Sequence, residues 1–504
     1  MNIIESKQAI KDALEAYLAK NQYGSPRIPP ERQRPVYLEG APGIGKTAIM
    51  KQIAQELGIP LVSYPMSHHT RQSALGLPLI TNEVFDGNTF PVSKYTMSEI
   101  IAAVYKAMED SGVSEGILFL DEFNCVSETL APIMLQFLQS KEFGGHRLPE
   151  GWIIVIAGNP VEYNESARAL DMVTLDRLCH IKVEADYDIW RDYAVSQSLF
   201  PAILSYLDLY PDHLSYLETT VDGKEFVTPR SWIDLSEMMR YYDDTDKKIN
   251  LTIVEAYIQA PAIARRFMQF YQLWLKYRSD YQIPEIMDGK ESPSILSRAR
   301  AAHFDERVAL INLMSEGVSN ALAPVIDQRT TLAGVEALLK DVRRHAVEHD
   351  ISFKEALKKI AANRRKTLEQ KRNTGAISKT EESACLKQLD CLQELMENVH
   401  EEDDAVVGYN AAKQALDVRR KSLKSEAATA QKRLENVLGF ADRAFGESHE
   451  MVLLITSMTA SPVIFPFITT YGCESYSRLS KALNFRDRDL RVLKALDELE
   501  KVGA

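Results

Sequence analysis

The stretch VYLEGAPGIGKT, Val36 to Thr47, decides the reading of this chain. Val36 to Leu38 read as a short buried strand, and the residues after them fit G-x-x-x-x-G-K-[ST] between an apolar strand and a helix. Glycines let backbone N–H groups close round phosphate oxygens, Lys46 adds a point charge on the outer phosphates, and the Thr47 hydroxyl is a magnesium-type ligand. The candidate nucleotide-binding residues are therefore Gly40, Ala41, Pro42, Gly43, Ile44, Gly45, Lys46, Thr47 and Ala48.

Further along, ILFLDEFN, Ile117 to Asn124, is an apolar run ending in two carboxylates. Asp121 at the strand's end suits the magnesium shell, and Glu122 suits polarisation of an attacking water, the two roles phosphoryl transfer to water requires. A third run, WIIVIAGNP, ends in Asn159, whose amide could orient that water or serve only as a turn former before Pro160. Short apolar runs at Val36–Leu38, Leu61–Tyr64, Ile117–Leu120, Ile153–Ala157 and His180–Val183 alternate with helical patterns, which predicts an α/β fold with a parallel sheet.

Phosphate loop, acidic pair and polar asparagine on successive strands, followed by helices, resemble the P-loop AAA+ ATPases over roughly residues 30–285. Within that superfamily the chain looks most like the MoxR branch. The reason is the insert GLPLITNEVFDGNTFPVSKYTMSEIIAAVYKAM, which reads as a hairpin turning at Asp86-Gly87-Asn88 and then a helix. The resemblance implies that Asn159 is the sensor-1 residue and that Arg177 of TLDRLCHI is the arginine finger reaching a neighbour's nucleotide, with Arg168 of NESARALD competing for that role. It also implies that Arg230 of TPRSW is the sensor-2 arginine. One departure is that QSKEFGGHRLPEGW is shorter than the hairpin often found at that place in this branch.

The expected organisation is an AAA+ αβα sheet domain over 1–185 with the insert hairpin at about 77–97, an all-helical lid over 186–322, and a helical, partly coiled-coil extension over 323–504. IPEIMDGKESPS, Ile283 to Ser294, reads as a linker on its prolines and glycine. Leu416, Leu423, Ala427, Ala430, Leu434 and Val437 keep a heptad-like spacing with Arg420 at the seam. The basic run Lys354 to Arg372 lacks interleaved aromatics and is followed by an equally acidic segment, so pairing between helices fits it better than nucleic acid.

The 504 residues are 45% hydrophobic and 26% charged, the balance of a folded soluble chain. A net charge of -12 excludes general coating of nucleic acid or anionic membrane. The N-terminal MNIIESKQAIKDALEAYLAK reads as an amphipathic helix and not a signal segment, and the apolar run Met451–Thr470 is interrupted by Pro462 and Pro466, which argues against a membrane span. Five cysteines, with no CxxC pair, suggest reduced thiols in a cytoplasm. The four tryptophans read as core residues.

His68 and His69 in YPMSHHTRQSALGLP are adjacent and lack a third ligand at helical spacing, so they read as part of a hinge between site and insert, with Gly76-Leu77-Pro78 as its bend. The function implied by the resemblance is Mg-ATP hydrolysis by a ring homo-oligomer, expected to be a hexamer. Its work would be to remodel a protein partner, in MoxR relatives commonly one with a von Willebrand factor A domain. The alternatives are a nucleic-acid-stimulated motor and a nucleotide-gated scaffold with slow hydrolysis.

Overall fold

A computed structural model describes residues 1–68, 71–164, 166–220, 223–373 and 379–482. His69 and the side chain of His68 lie outside them, as does the end of the C-terminal extension. The chain divides into two compact units: one holds 1–191 with 210–265, and the other holds 192–209 with 266 onward.

The first unit opens with α1 (Ile3–Leu18), whose first turn is closed by a capping box between Asn2 and Glu5. There follow β1 (Val36–Gly40), α2 (Lys46–Leu57), β2 (Leu61–Pro65), α3 (Arg71–Leu75), and a hairpin of β3 (Pro78–Phe85) and β4 (Asn88–Tyr95). Next come α4 (Glu99–Ser111), β5 (Gly116–Asp121), α5 (Ala131–Ser140), β6 (Glu142–Phe143), β7 (His146–Arg147), β8 (Trp152–Gly158), α6 (Met172–Leu175) and β9 (Cys179–Val183).

Strands β2, β5, β8, β1 and β9 form one sheet in that order, every neighbouring pair parallel. All seven residues of β8 are buried, as a strand covered on both faces requires. Alternate side chains feed two cores. Tyr37, Leu118, Leu120, Ile154 and Ile156 pack with Ile101 of α4 and Phe137 of α5. Val36, Leu38, Ile117, Phe119 and Val155 pack with Ile10 of α1 and Ile53 of α2. This αβα sandwich is the AAA P-loop fold, and its five strands are those the sequence indicates, each longer by a residue or more.

In the insert, Phe85 pairs with Asn88 across Asp86 (φ 51) and Gly87 (φ 80). Two left-handed central residues are what a tight hairpin turn demands, so the turn falls where the sequence placed it. The insert's base is tied by two bonds: the Thr96 N–H donates to the Leu77 carbonyl at 2.9 Å, and the Leu77 N–H donates to Thr96 Oγ1 at 2.9 Å. The short segment QSKEFGGHRLPEGW holds only the two-residue ladder of β6 and β7.

α7 (Tyr187–Ser196) and α8 (Pro201–Leu209) come next, and β10 (Tyr216–Thr220) and β11 (Gly223–Val227) then form an antiparallel hairpin. The region expected to be wholly helical thus contains two strands. α9 (Pro229–Asp244), α10 (Leu251–Tyr257) and α11 (Pro261–Tyr281) follow. The line between the two units passes through α7 and α11, so the lid expected over 186–322 is shared between them.

The second unit adds α12 (Ile283–Met287), α13 (Pro293–Ala301), α14 (Phe304–His349), α15 (Phe353–Asn373), α16 (Lys379–Met396), α17 (Ala405–Phe445), α18 (His449–Ala460) and α19 (Ile464–Tyr471). α14 runs unbroken through the boundary expected at 322/323, so no domain begins at residue 323. By length and composition α14 could cross a bilayer, yet half of its apolar window is buried within the protein. The presumed linker at Ile283–Ser294 is also corrected. It begins with α12, whose Ile283, Ile286 and Met287 are buried, and the Met287 carbonyl accepts from Asn436 Nδ2 at 2.8 Å.

α14 and α17 run antiparallel, since Gln328 bonds Glu426, Glu336 pairs with Arg420, and Arg343 lies over the Tyr409 ring. All six heptad positions of α17 are buried. The basic α15 meets acidic partners: Lys354 and Lys358 both reach Glu401, and Arg372 reaches Glu382. Trp152, Trp190, Trp232 and Trp274 are all buried, and all five cysteines are free thiols.

Candidate active site

The sheet order places β1 between β8 and β9, where the chain reverses its direction across the sheet. Crevices beyond the carboxyl ends of strands at such a reversal are where open α/β sheets take ligands. Glu39 is level with Gly158, so the phosphate loop leaving β1 starts beside Asn159.

In that loop Gly43 has φ 77, and a Cβ there would come to 3.0 Å from Arg230 Cβ and 3.1 Å from Thr228 Oγ1. Only glycine meets both conditions. α2 then begins at Lys46 behind Gly45 with no side-chain cap, which leaves its first N–H groups available to an anion.

Lys46 is buried, at 7% exposure, and its Nζ donates to Gly40 O at 2.6 Å, Ala41 O at 2.9 Å and Asn159 Oδ1 at 2.9 Å. Burial lowers its pKa to about 8; nearby Arg230 pushes the same way and Asp121 opposes. Thr47 Oγ1 donates to Asp121 Oδ2 at 2.8 Å, while Asp121 Oδ1 accepts from the Glu122 N–H at 2.9 Å. Hydroxyl and carboxylate side by side form the hard oxygen set that suits Mg²⁺.

Glu122 itself has φ 53, a left-handed conformation uncommon outside glycine, and its carbonyl accepts from the Cys125 N–H in a one-turn helix. The turn after β2, Met66–His68, packs against this one.

One residue went unnoticed in the sequence. Asn124 is 5% exposed, and its Nδ2 donates to the Asn159 carbonyl at 2.7 Å, tying the acidic turn to the end of β8. Its carbonyl takes the Arg168 N–H at 2.9 Å. Its role rests on burial and on the neighbouring strand, neither of which the local sequence displays.

The arginines fall differently. Arg230 is exposed in the first turn of α9, which Thr228 caps through the Ser231 N–H at 3.2 Å, and it stands against Gly43. Arg168 is engaged by Glu128 at 2.9 Å. Arg177 is exposed beyond α6 and, with Arg32, Arg34, Glu31, Leu138 and Asp176, lines a cleft of about 470 Å³ that the phosphate loop does not share. Lys46 is thus hydrogen-bonded to Asn159 and Thr47 to Asp121, Glu122 and Arg230 adjoin them, and among the described residues no hydrogen bond or ion pair joins Arg177 or Arg168 to the loop.

Residues 36–167 match the profile described as ATPase family associated with various cellular activities (AAA). Over that stretch the chain is similar to AAA ATPase domains. The match spans β1 to the segment after β8, so it takes in the phosphate loop, the acidic pair and Asn159. No curated protein matches the sequence. Among solved structures, a RuvB mutant from Thermotoga maritima is similar at 16% identity, with a TM-score of 0.27, over 53% of this chain and 69% of that one.

Proposed function

We propose that this protein is a MoxR-type AAA+ ATPase that hydrolyses Mg-ATP to remodel a protein partner. The observation that carries the reading is the bonded set of Lys46, Thr47, Asp121 and Asn159 with Glu122 beside it, at the carboxyl edge of one sheet. Thr47 and Asp121 would hold Mg²⁺, which when bound neutralises charge on the outer phosphates. Lys46 and the uncapped start of α2 hold the phosphates, Glu122 accepts a proton from the attacking water, and Asn159 orients that water. Arg230, against Gly43, reads nucleotide state in the same subunit. Arg177, exposed and clear of its own loop, serves a neighbour's nucleotide in a ring, which we take to be a hexamer.

The insert hairpin is the working surface. Leu79, Ile80, Val84, Phe85 and Phe90 are all exposed on it, an unusual concentration of apolar side chains for a free surface. A partner with a von Willebrand factor A domain, met in the cytoplasm, fits the branch. The nucleic-acid motor is disfavoured because the basic α15 is drawn into ion pairs with Glu401 and Glu382.

Glu122→Gln tests the reading. ATP turnover should fall at least about 100-fold while ATP binding persists, and an unchanged rate would remove Glu122 from its role. Stimulation of wild-type turnover by single-stranded or duplex DNA would favour the motor, and negligible wild-type turnover would favour the scaffold.

A further inference from the structure

Near the end of α14 the sequence HAVEH places His345, Glu348 and His349 at i, i+3 and i+4, on one face of the helix. The structure brings their ligand atoms within 4.8 Å of one another, and among the described residues no other group of three such side chains converges in this way. The two imidazole rings lie 4.0 Å apart, centroid to centroid. We propose that these three residues bind a divalent transition-metal ion of the Zn²⁺ type.

Three further observations support the site. His349 Nδ1 lies 3.1 Å from the His345 carbonyl oxygen. A carbonyl can only accept, so Nδ1 carries the hydrogen and Nε2 keeps its lone pair for a metal. Metal-binding histidines are held in this manner, with the second ring nitrogen bonded to a backbone carbonyl or carboxylate. The position also suits a cation, because the last turn of a helix carries the negative end of its dipole. Finally, the adjacent cations are directed elsewhere: Arg344 pairs with Asp341, and Arg343 lies over the Tyr409 ring at 5.2 Å.

The donor set selects the ion. Two imidazoles and one carboxylate favour Zn²⁺, Ni²⁺ or Cu²⁺ over the all-oxygen preference of Mg²⁺, so the site is chemically separate from Thr47 and Asp121. Glu348 and His349 are exposed and His345 is half-buried, so an ion reaches them without opening the fold. Three protein ligands leave a coordination position to water.

The test uses the full-length protein, stripped with chelator, kept reduced and titrated with Zn²⁺ alone by equilibrium dialysis, with excess Mg²⁺ present. Wild type should bind one equivalent more than the His345→Ala/His349→Ala double variant. The affinity of that equivalent should fall at least about tenfold in His349→Ala. Zn²⁺ should raise the melting temperature of wild type and not of the double variant. Equal stoichiometry and affinity in wild type and double variant would overturn the proposal, since the thiols would then account for all the zinc. Should the half-buried His345 prove necessary for folding, His349→Ala and Glu348→Gln, both at exposed positions, decide it by the same comparison.

Discussion

Lys46 Nζ donates to Asn159 Oδ1 across 2.9 Å, joining the lysine at the start of one helix to the asparagine at the end of a neighbouring strand. The cation proposed to hold phosphate and the amide proposed to orient water therefore share one hydrogen bond, and the charge at one is felt at the other. Asn159→Ala should lower ATP turnover about 100-fold and leave the nucleotide dissociation constant within a few-fold of wild type. Steady-state rates and equilibrium binding, measured on the same preparation, separate the two.

The depressed pKa of Lys46, about 8 against 10.5 for the free side chain, gives a signed pH dependence. Between those values the unfolded chain holds more protons than the folded one. Stability from this group therefore rises with pH across that window and is lost as pH falls through about 8. ATP affinity should run the opposite way, weakening from about pH 7 to about pH 9 as the amine loses its charge. Near pH 8.5, binding should take up protons, seen as a calorimetric heat that varies with the buffer's ionisation enthalpy, and that variation should vanish at about pH 6, where the amine is already charged.

Gly43→Ala should weaken ATP binding, because the added methyl meets Arg230 and Thr228 as well as an unfavourable φ of 77. The backbone cost alone is about 1–2 kcal/mol. Gly24→Ala is the control, with φ 80 but nothing within 4 Å of the added atom. Thermal melting should show destabilisation of both variants, and only Gly43→Ala should lose nucleotide affinity.

Leu434 is fully buried at a heptad position of α17. Leu434→Ala should cost about 2–5 kcal/mol in denaturant unfolding. Val418 on the same helix is 65% exposed, and Val418→Ala should stay within about 0.5 kcal/mol of wild type.

What could be read from the sequence was what is local. Gly40 to Thr47 carries its own strand, loop and helix start, and Asp86-Gly87 marks its own turn, so both were found. The hairpin of β10 and β11 has a comparable signal in Asp222-Gly223, but the aromatic helices around it dominated the pattern. Ile283–Met287 looked like a linker because proline and glycine mark turns by composition. What makes it a buried helix is long-range contact with Asn436, far along the chain. The bonds of Lys46 to Asn159 and of Asn124 to the Asn159 carbonyl were invisible for the same reason: each depends on which strands become neighbours.

The uninterrupted course of α14 has a mechanical consequence. Its 46 residues extend about 69 Å at about 1.5 Å per residue. Over such a length, a tilt of about 5° at one end corresponds to a displacement of about 6 Å at the other. Pro324 within it removes one backbone hydrogen bond without ending the helix. The antiparallel α17 lies alongside, so the rigidity of this long element rests on the seam between the two helices.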